Sequence, residues 1–589
     1  MALISEPMPP PVMQLGPFSR TPMDRLRIGL LVTAPKASHS ELALAQWTRR
    51  QPGLEMASLI IQGTNHTHGT NHPNGARGIK GQNRLAAMSL SLLIQLESLA
   101  LRRHPRFHRH TARIEPGDLG AQTGALTDCD LLICLDPTVS PADLSALAKR
   151  THQGLLALRT GRGLEQSNEP AGFWEVALQR DVTTFTIEHV PPATTKSTEL
   201  RPGEPLTGAS HILFRGAFAT RFYFLLNQAT LQAQANAAIQ HLLAHGRVRF
   251  DRGQDSGANS GTNSGSNLPP VSLRPVVHEP RGADFGPDSS PEQGFPDLPA
   301  QVRYGRSLLA TLWKKSRNKY LLKNNYRWGV AFRPGGWQNL VMHRAQTIPN
   351  PPGHFLADPF VLSDQQRSYC FVEDYNYRES RACISVYELH ADGSTRIGPA
   401  IEEPFHLSFP FLFQYQSKHY LCPESSASRE IRLYECTALP DQWVFKKTLM
   451  RNIAAADTML LQHDGLWWLL TNIDSAAIGD YCSELHVFYA CEPITDEWTA
   501  HPQNPVIVDP NRARNGGLLF KGAEIYRVSQ RQGFDAYGQS AAINRITTLT
   551  PGAYQEEVVA TIEPEFFPQI KGTHHLHSDG RFTVFDYQY

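Results

Sequence analysis

From residue 354 to the end of the chain, short apolar runs and polar turns alternate in a pattern that returns five times. The runs 356–361, 407–412, 455–460, 514–519 and 573–576 each carry a small or polar residue followed by an apolar strand. A second strand follows each one, at 369–373, 420–424, 467–472, 525–530 and 582–586, and ends on a polar residue. The paired polar positions are Asp358/Glu373, Phe409/Glu424, Asp457/Asn472 and Asn515/Gln530, each 15 residues apart, with a shortened His574/Asp586 pair. Further β-rich runs at 384–389, 431–436 and 484–489 supply third strands, and Trp443 and Trp498 recur near the outer edge. Repeats of this length built from short strands are the signature of propeller blades. The spacing predicts an all-β five-bladed propeller over 325–589, with 327–333 and 340–344 completing the short last blade.

The N-terminal half has a different rhythm. Runs at 26–32, 55–62, 130–135 and 154–158 read as strands, and 140–150 as a helix capped by Ser140. Residues 84–102 have helical periodicity, with Leu85, Met88, Leu92, Ile94, Leu96 and Leu99 as a broad apolar face. Strand, helix, strand in that order gives βαβ units and a parallel sheet, so 25–250 is expected to be an α/β domain. Residues 251–300 are rich in Gly, Ser, Asn and Pro and read as a disordered linker. Residues 301–324 read as a basic amphipathic helix, with Leu308, Leu309, Leu312 and Trp313 beside Lys314, Lys315, Arg317, Lys319 and Lys323. Such a helix packs on the propeller or makes peripheral contact with a membrane surface.

Composition narrows the partners. A formal charge of +1 over 589 residues excludes a dominant electrostatic partner such as nucleic acid. No apolar run reaches the length of a spanning helix. Residues 1–24 are proline-rich, lack the apolar core of a secretory signal and are expected to be disordered. The eight cysteines include no Cys-x-x-Cys pair and read as reduced thiols of a cytoplasmic protein. His66, His68 and His72 fall in a Gly/Asn-rich stretch without a Cys or carboxylate partner, which reads as a solvated loop rather than a metal site. Neither a cofactor nor a metal ion is expected.

Propeller closure gives the polar positions a shared location. First strands line the axis, so Asp358, Phe409, Asp457, Asn515 and His574 form one ring and Glu373, Glu424, Asn472, Gln530 and Asp586 a second. Like charges raise one another's pKa and resist burial, so five acids gathered for stability alone would be costly. The pattern points to a carbohydrate pocket, either processing or binding sugar.

Two resemblances add to this reading. The runs Gly154-Leu155-Leu156-Ala157-Leu158-Arg159, Glu169-Pro170-Ala171-Gly172-Phe173-Trp174-Glu175-Val176 and Thr184-Phe185-Thr186-Ile187 resemble the formyltransferase fold. Active members carry a His after the first of these strands, with Asn and Asp partners. Arg159 or Thr160 holds that place here, which implies no formyl transfer; Arg159 and Arg162 would suit an anion instead. The propeller, through Phe355-Leu356-Ala357-Asp358-Pro359-Phe360, His406-Leu407-Ser408-Phe409-Pro410, Pro423-Glu424-Ser425 and Arg512-Ala513-Arg514-Asn515-Gly516-Gly517, is similar to the N-terminal region of plant glucosamine inositolphosphorylceramide transferases. Bacterial proteins that fuse a degenerate formyltransferase-like domain to such a propeller are the group it resembles. The propeller also looks like those of arabinanase, xylosidase and invertase glycoside hydrolases.

Those resemblances imply a protein acting on a carbohydrate or glycolipid. As an enzyme it would use paired carboxylates on a glycosidic bond, with Asp358 as base or nucleophile, Glu424 as acid and Asp457 tuning or orienting. Glu373, Phe409, Arg514, Asn515, Gln530, His574 and Asp586 would bind substrate. As a non-catalytic glycan-binding scaffold it would offer the same acids to sugar hydroxyls and stack Phe409 or Trp467 on a ring.

Overall fold

The computed structural model describes residues 25–33, 38–61, 81–102, 104, 129–160, 170–192, 210–244, 295–317, 327–365 and 367–589. His66, His68, His72, Arg162, Lys319, Lys323, the expected disordered N-terminus and most of the expected linker lie outside these residues.

The N-terminal part runs β1 (Leu26–Val32), α1 (His39–Arg50), β2 (Leu54–Ile61), α2 (Gly81–Leu101), β3 (Leu131–Cys134), α3 (Pro141–Ala148), β4 (Leu155–Thr160), α4 (Phe173–Ala177), β5 (Val182–Val190), β6 (His211–Ala219), α5 (Phe224–Ala244) and α6 (Leu298–Ser316). Its strands form one sheet in the order β2-β1-β3-β4-β5-β6. The first four are parallel and the last two antiparallel. β3 is buried along its whole length, as a parallel strand covered on both faces must be. Local signals set the helix starts. Ser38 and Glu41 form a capping box on α1, and Ser140 accepts from the Asp143 amide ahead of Pro141 on α3. The basic helix expected at 301–324 is α6, which starts three residues earlier because Asp297 caps it. The broad apolar face expected on α2 does not enter the core. Ala86, Leu90 and Leu101 are buried, whereas Leu85, Met88, Leu92, Leu96 and Leu99 are exposed.

The propeller opens with β7 (Trp328–Pro334) and β8 (Gln346–Ile348). Blade I then holds β9 (His354–Asp364), β10 (Arg367–Asn376), β11 (Arg381–His390) and β12 (Gly393–Ile401). Blade II holds β13 (Ser408–Tyr415), β14 (Lys418–Glu424), β15 (Glu430–Ala438) and β16 (Gln442–Arg451). Blade III is β17 (Ala455–His463), β18 (Leu466–Ile473), β19 (Glu484–Ala490) and β20 (Thr499–Ala500), with β21 (Ile507–Val508) also paired to β19. Blade IV is β22 (Asn515–Lys521), β23 (Glu524–Gly533), β24 (Ala536–Thr550) and β25 (Ala553–Ile562). Blade V joins the two ends of this region in the order β26-β27-β7-β8, with β26 (Leu576–Ser578) and β27 (Phe582–Gln588) from the C-terminal side. Five sheets thus close into a ring, as the repeat requires. β27 pairs antiparallel with β7 from Phe582↔Pro334 to Gln588↔Trp328. One detail differs: the outer strand is β8, because residues 342–344 take a 3-10 turn instead of the expected strand at 340–344.

Closure rests on buried apolar groups. Val330 and Phe332 on β7 pack with Val361, Val372 and Val584 in one cluster that spans blades V and I. Phe332→Ala is expected to destabilise the propeller by about 3–5 kcal/mol, as full truncation of a buried aromatic does. Phe445→Ala on the exposed outer strand of blade II is expected to cost well under that. Urea unfolding of the two variants checks the contrast; equal midpoints would show that β7 is not integral to the ring.

Candidate active site on the propeller axis

First strands begin, and second strands end, at the same face of the ring. The first strands of blades I to IV are each kinked there by a bulge, marked by register shifts at Phe371/Glu373, Ser408/Phe411, Ala456/Met459 and Asn515/Gly517. Asp358 (φ 49°), Phe409 (φ 45°) and Asp457 (φ 48°) occupy the same left-handed position in blades I, II and III. That conformation costs an L-residue about 1–2 kcal/mol, and Asp tolerates it better than most. A bulge re-aims a side chain, and here it does so at equivalent points of successive blades. In blade IV the equivalent stretch is Asn515-Gly516-Gly517. A Cβ on Gly516 would lie 2.3 Å from the His574 carbonyl oxygen and one on Gly517 2.1 Å from that of Leu576. The glycines therefore let blades IV and V close up beside the axis.

Arg514 is the centre of charge. Its Nε donates to Asp457 Oδ2 at 2.7 Å, and its Nη2 lies 3.7 Å from Glu424 Oε2. Gln530 also donates to Asp457 Oδ2 at 3.0 Å. Asn515 donates to the Asp457 carbonyl oxygen at 2.8 Å, and its own amide donates to Asn472 Oδ1 at 2.9 Å. On the opposite side, the Asp358 amide donates to Asp586 Oδ2 at 3.4 Å. Asp586 Oδ1 also accepts from the His574 and His575 amides at 3.0 and 3.1 Å. The His574 ring lies between two acids, Nδ1 2.5 Å from Asp586 and Nε2 3.8 Å from Asp358. It stacks on Trp328 at 4.0 Å and meets Tyr537 edge-on at 5.3 Å. Glu373 pairs with His406 Nε2 at 3.4 Å.

The electrostatics follow from this crowding. Burial, then Glu373, Asp457 and Asp586, drive the Asp358 carboxyl well above its ordinary value, against Arg514. Burial pushes Asp457 up to about 8 despite Arg514, with Glu424 adding to the rise. Burial works against a charged His406, but Glu373 outweighs it and holds the imidazole above its usual value. The site thus keeps carboxyl protons at neutral pH, the condition for acid catalysis by a carboxyl group. Asp358, His574 and Asp586 bring one ligand atom each within 4.8 Å of the others, a spacing that would hold a metal ion.

The sequence placed these side chains in the right ring but overstated what several can touch. Phe409 is wholly buried and packs edge-on against Phe360 and His575 at 4.9 and 5.3 Å, so it forms the floor and stacks on no ligand. Trp467 is buried against Phe413 and Tyr415, away from the axis. Asn515, Gln530 and Asp586 are at most 1% exposed; their polar atoms hold other site residues rather than a substrate. Glu424 and Arg514 each keep 13% of the side chain accessible, and Asp358 keeps 10%. Sequence reasoning missed Trp328, Tyr537 and His406 as site residues. None occupies a repeated position, so the repeat held no signal for them. Cys482 lies in the β18–β19 loop and accepts from Arg514 Nη1 at 3.8 Å.

The α/β domain meets the propeller at this same face. The β18–β19 and β23–β24 loops follow second strands and so rim the axis. Arg221, between β6 and α5, pairs with Asp480 of the first loop at 3.5 Å. Asp181 accepts from the Phe534 amide of the second at 2.8 Å, and Lys315 of α6 pairs with Asp535 at 2.8 Å. Val508 on β21 joins the apolar core under β6.

Fold and site together define a propeller with an acidic axial centre and an α/β domain on its rim. Residues 337–576 match the family described as glucosamine inositolphosphorylceramide transferase 1, N-terminal. Glucosamine inositolphosphorylceramide transferase 1 of Oryza sativa subsp. japonica is 33% identical over 211 residues, 35% of this chain and 28% of that protein. The Arabidopsis thaliana protein of the same name is 30% identical over 219 residues, 36% and 28% respectively. The match with these curated relatives thus spans 28% of their length. Among solved structures, the family 117 glycoside hydrolase Zg3597 of Zobellia galactanivorans is 11% identical, with 40% of this chain and 76% of that one covered and a TM-score of 0.30. Bacillus subtilis arabinanase Arb43A is 13% identical, with 40% and 94% covered and a TM-score of 0.29.

Proposed function

We propose that the axial site binds the sugar part of a glycoconjugate and acts on a glycosidic bond through its carboxyl groups. The observation that carries this is the convergence of Asp358, Glu424 and Asp457 from three blades around one guanidinium, where burial and neighbouring carboxylates raise the Asp358 and Asp457 carboxyls. The matched family model, whose description names a glucosamine inositolphosphorylceramide transferase, supports a sugar or glycolipid as the ligand. In this reading Asp358, protonated by its surroundings, gives its proton to the leaving oxygen. Glu424, beside the Arg514 cation and accepting from Ser426 at 2.9 Å, acts as base or nucleophile at the anomeric side. These roles are exchanged relative to the sequence expectation, because Asp358 is the acid enclosed by other carboxylates. Asp457, tied to Arg514 and Gln530, sets the charge of the site.

The second reading is a glycan-binding scaffold, favoured by the fact that the matched family model describes an N-terminal region. Calorimetric titration with glucosamine and inositol phosphate derivatives tests the shared part of both readings. Wild type is expected to bind at least one of them. Asp358→Asn is expected to bind it with an altered pH dependence, because the variant no longer carries that proton. Absence of binding by any of the glycans, or an unchanged pH profile in the variant, would remove the axial pocket as the site.

For the N-terminal part, the proposal is a formyltransferase-like domain without formyl transfer. Arg159, which with Thr160 stands where active members carry a His, donates from Nη1 to the Val139 carbonyl oxygen at 2.7 Å.

A further inference from the structure

The α/β domain carries apolar surface that the described residues leave exposed. On α2, Met88, Leu92 and Leu99 belong to a stripe recurring at helical spacing, between 55% and 70% exposed. On α6, Val302, Leu309 and Trp313 form another, between 59% and 68% exposed. The two helices adjoin, joined by the Gln301 side chain donating to the Ala86 carbonyl oxygen at 2.7 Å. Their opposite faces are spent on the core, where Leu90 and Tyr304 are buried in one cluster. Each helix is thus apolar inside and out, an arrangement that a helix wholly in water does not need.

We propose that this pair of helices docks the protein on the surface of a lipid bilayer containing anionic lipid. Charge selects that occupant. No acid occurs from Leu298 to Arg317, and the exposed apolar stripe of α6 is bordered by exposed Arg306, Lys314 and Arg317. The acid of α2, Glu97, is buried and accepts from the Leu225 amide at the start of α5, at 2.9 Å. Two-fold pairing of a second copy through this face would set cations against cations. An anionic headgroup layer accepts the cations while the leucines and Trp313 enter the acyl boundary. No described helix is long and apolar enough to cross a membrane, and the proposed contact is a peripheral one.

The position of α6 connects this surface to the axis. Lys315, two residues past Trp313 and so on the opposite side of the helix, pairs with Asp535 in the β23–β24 loop. Two residues on, the Tyr537 ring lies 5.1 Å from the Arg514 guanidinium. A bilayer against the Trp313 face of α6 would therefore lie one helix thickness, about 10 Å, from the rim of the axial site, within reach of the headgroup of a membrane-held substrate. That consequence rests on the glycoconjugate reading; the docking itself does not.

Sedimentation of the full chain with vesicles tests the proposal. Binding is expected to phosphatidylcholine vesicles containing roughly a third anionic phospholipid, with little to phosphatidylcholine alone and a decline as salt rises. The double variants Leu309→Glu/Trp313→Glu and Met88→Glu/Leu92→Glu should each lower partitioning by about tenfold or more. Their melting temperatures should match wild type, because these side chains are already in solvent. Lys314→Gln/Arg317→Gln, which leaves the apolar stripe intact, should lose the preference for anionic vesicles. A wild type that stays in the supernatant would overturn the proposal, as would glutamate variants that sediment like wild type. So would a wild-type dimer that the glutamate variants convert to monomer without any vesicle binding.

Discussion

Glu424→Gln is expected to lower turnover of a glycosidic substrate by about a hundredfold or more, while substrate affinity changes only a few-fold. Glutamine keeps the shape of the side chain and an oxygen to accept from the Ser426 hydroxyl, 2.9 Å from Glu424 Oε1. It cannot deprotonate water or an acceptor hydroxyl, nor bond to an anomeric carbon and leave again. The loss is therefore one of chemistry and falls on kcat more than on KM. Asp358→Asn removes the proton donor and should produce a comparable fall. Glycosides with good leaving groups should recover much of their rate in the Asp358 variant and little in the Glu424 variant, because only the former relies on leaving-group protonation. Steady-state kinetics on such a pair of substrates checks the division of labour. Recovery in the Glu424 variant alone would return the roles to the order expected from sequence. If wild type turns over none of the glycosides and both variants lose binding together, the scaffold reading stands instead.

Arg514→Met is expected to destabilise the propeller by about 3–5 kcal/mol at alkaline pH, where Asp457 is ionised, the cost of leaving buried charge without its partner. The guanidinium balances Asp457 at 2.7 Å and Glu424 at 3.7 Å, and Met fills similar space without charge. The loss should depend on pH, and its sign follows from Asp457. In the folded wild type this carboxyl rises from 3.8 to about 8, so it keeps a proton that the unfolded chain gives up. Its contribution is fully present below the unfolded value and is lost as pH climbs through the folded one. Removing Arg514 raises the folded value further, so the penalty for ionising Asp457 grows on the alkaline side. Urea unfolding of wild type and variant should show the widest gap near about pH 9 and a narrower one near about pH 5. A gap independent of pH would mean that Arg514 acts by packing alone.

Much of the propeller was written in the local pattern. A blade is a nearly self-contained unit of alternating strands, so its apolar and polar rhythm survives in the sequence wherever it occurs. The constant interval from Asp358 to Glu373 and from Asp457 to Asn472 reflects one bulged first strand, one turn and one second strand. Ring closure was legible for the same reason, since five first strands demanded a partner for β27 and β7 supplied it. The failure at 340–344 was local, where a 3-10 turn replaced a run with strand composition.

Equivalence of position did not carry equivalence of role. Asp358, Phe409 and Asp457 share one backbone conformation, yet Phe409 turns into the floor because an aromatic ring gains more from Phe360 and His575 than from water. Asn515 and Gln530 share the ring but are consumed by Asp457, a demand visible only once the blades meet. Trp328 and Tyr537 come from the closing strand and from a hairpin, outside the repeated positions, and were therefore silent. On α2 the period was legible in the sequence and the direction of its apolar face was not. Helical spacing tells which residues share a face, and only packing tells whether that face is buried.

The sequence by itself determined the repeating blades, their number, the four parallel strands of the mixed α/β sheet and the ring positions that hold the acids, because each depends on contacts between near neighbours. Tertiary structure alone decided which acids are enclosed, which carboxyl keeps its proton, which helix face stays in solvent and that the α/β domain meets the rim of the axial site. Those depend on the distance between groups far apart in the chain, and burial and Coulomb energies are set by that distance rather than by composition.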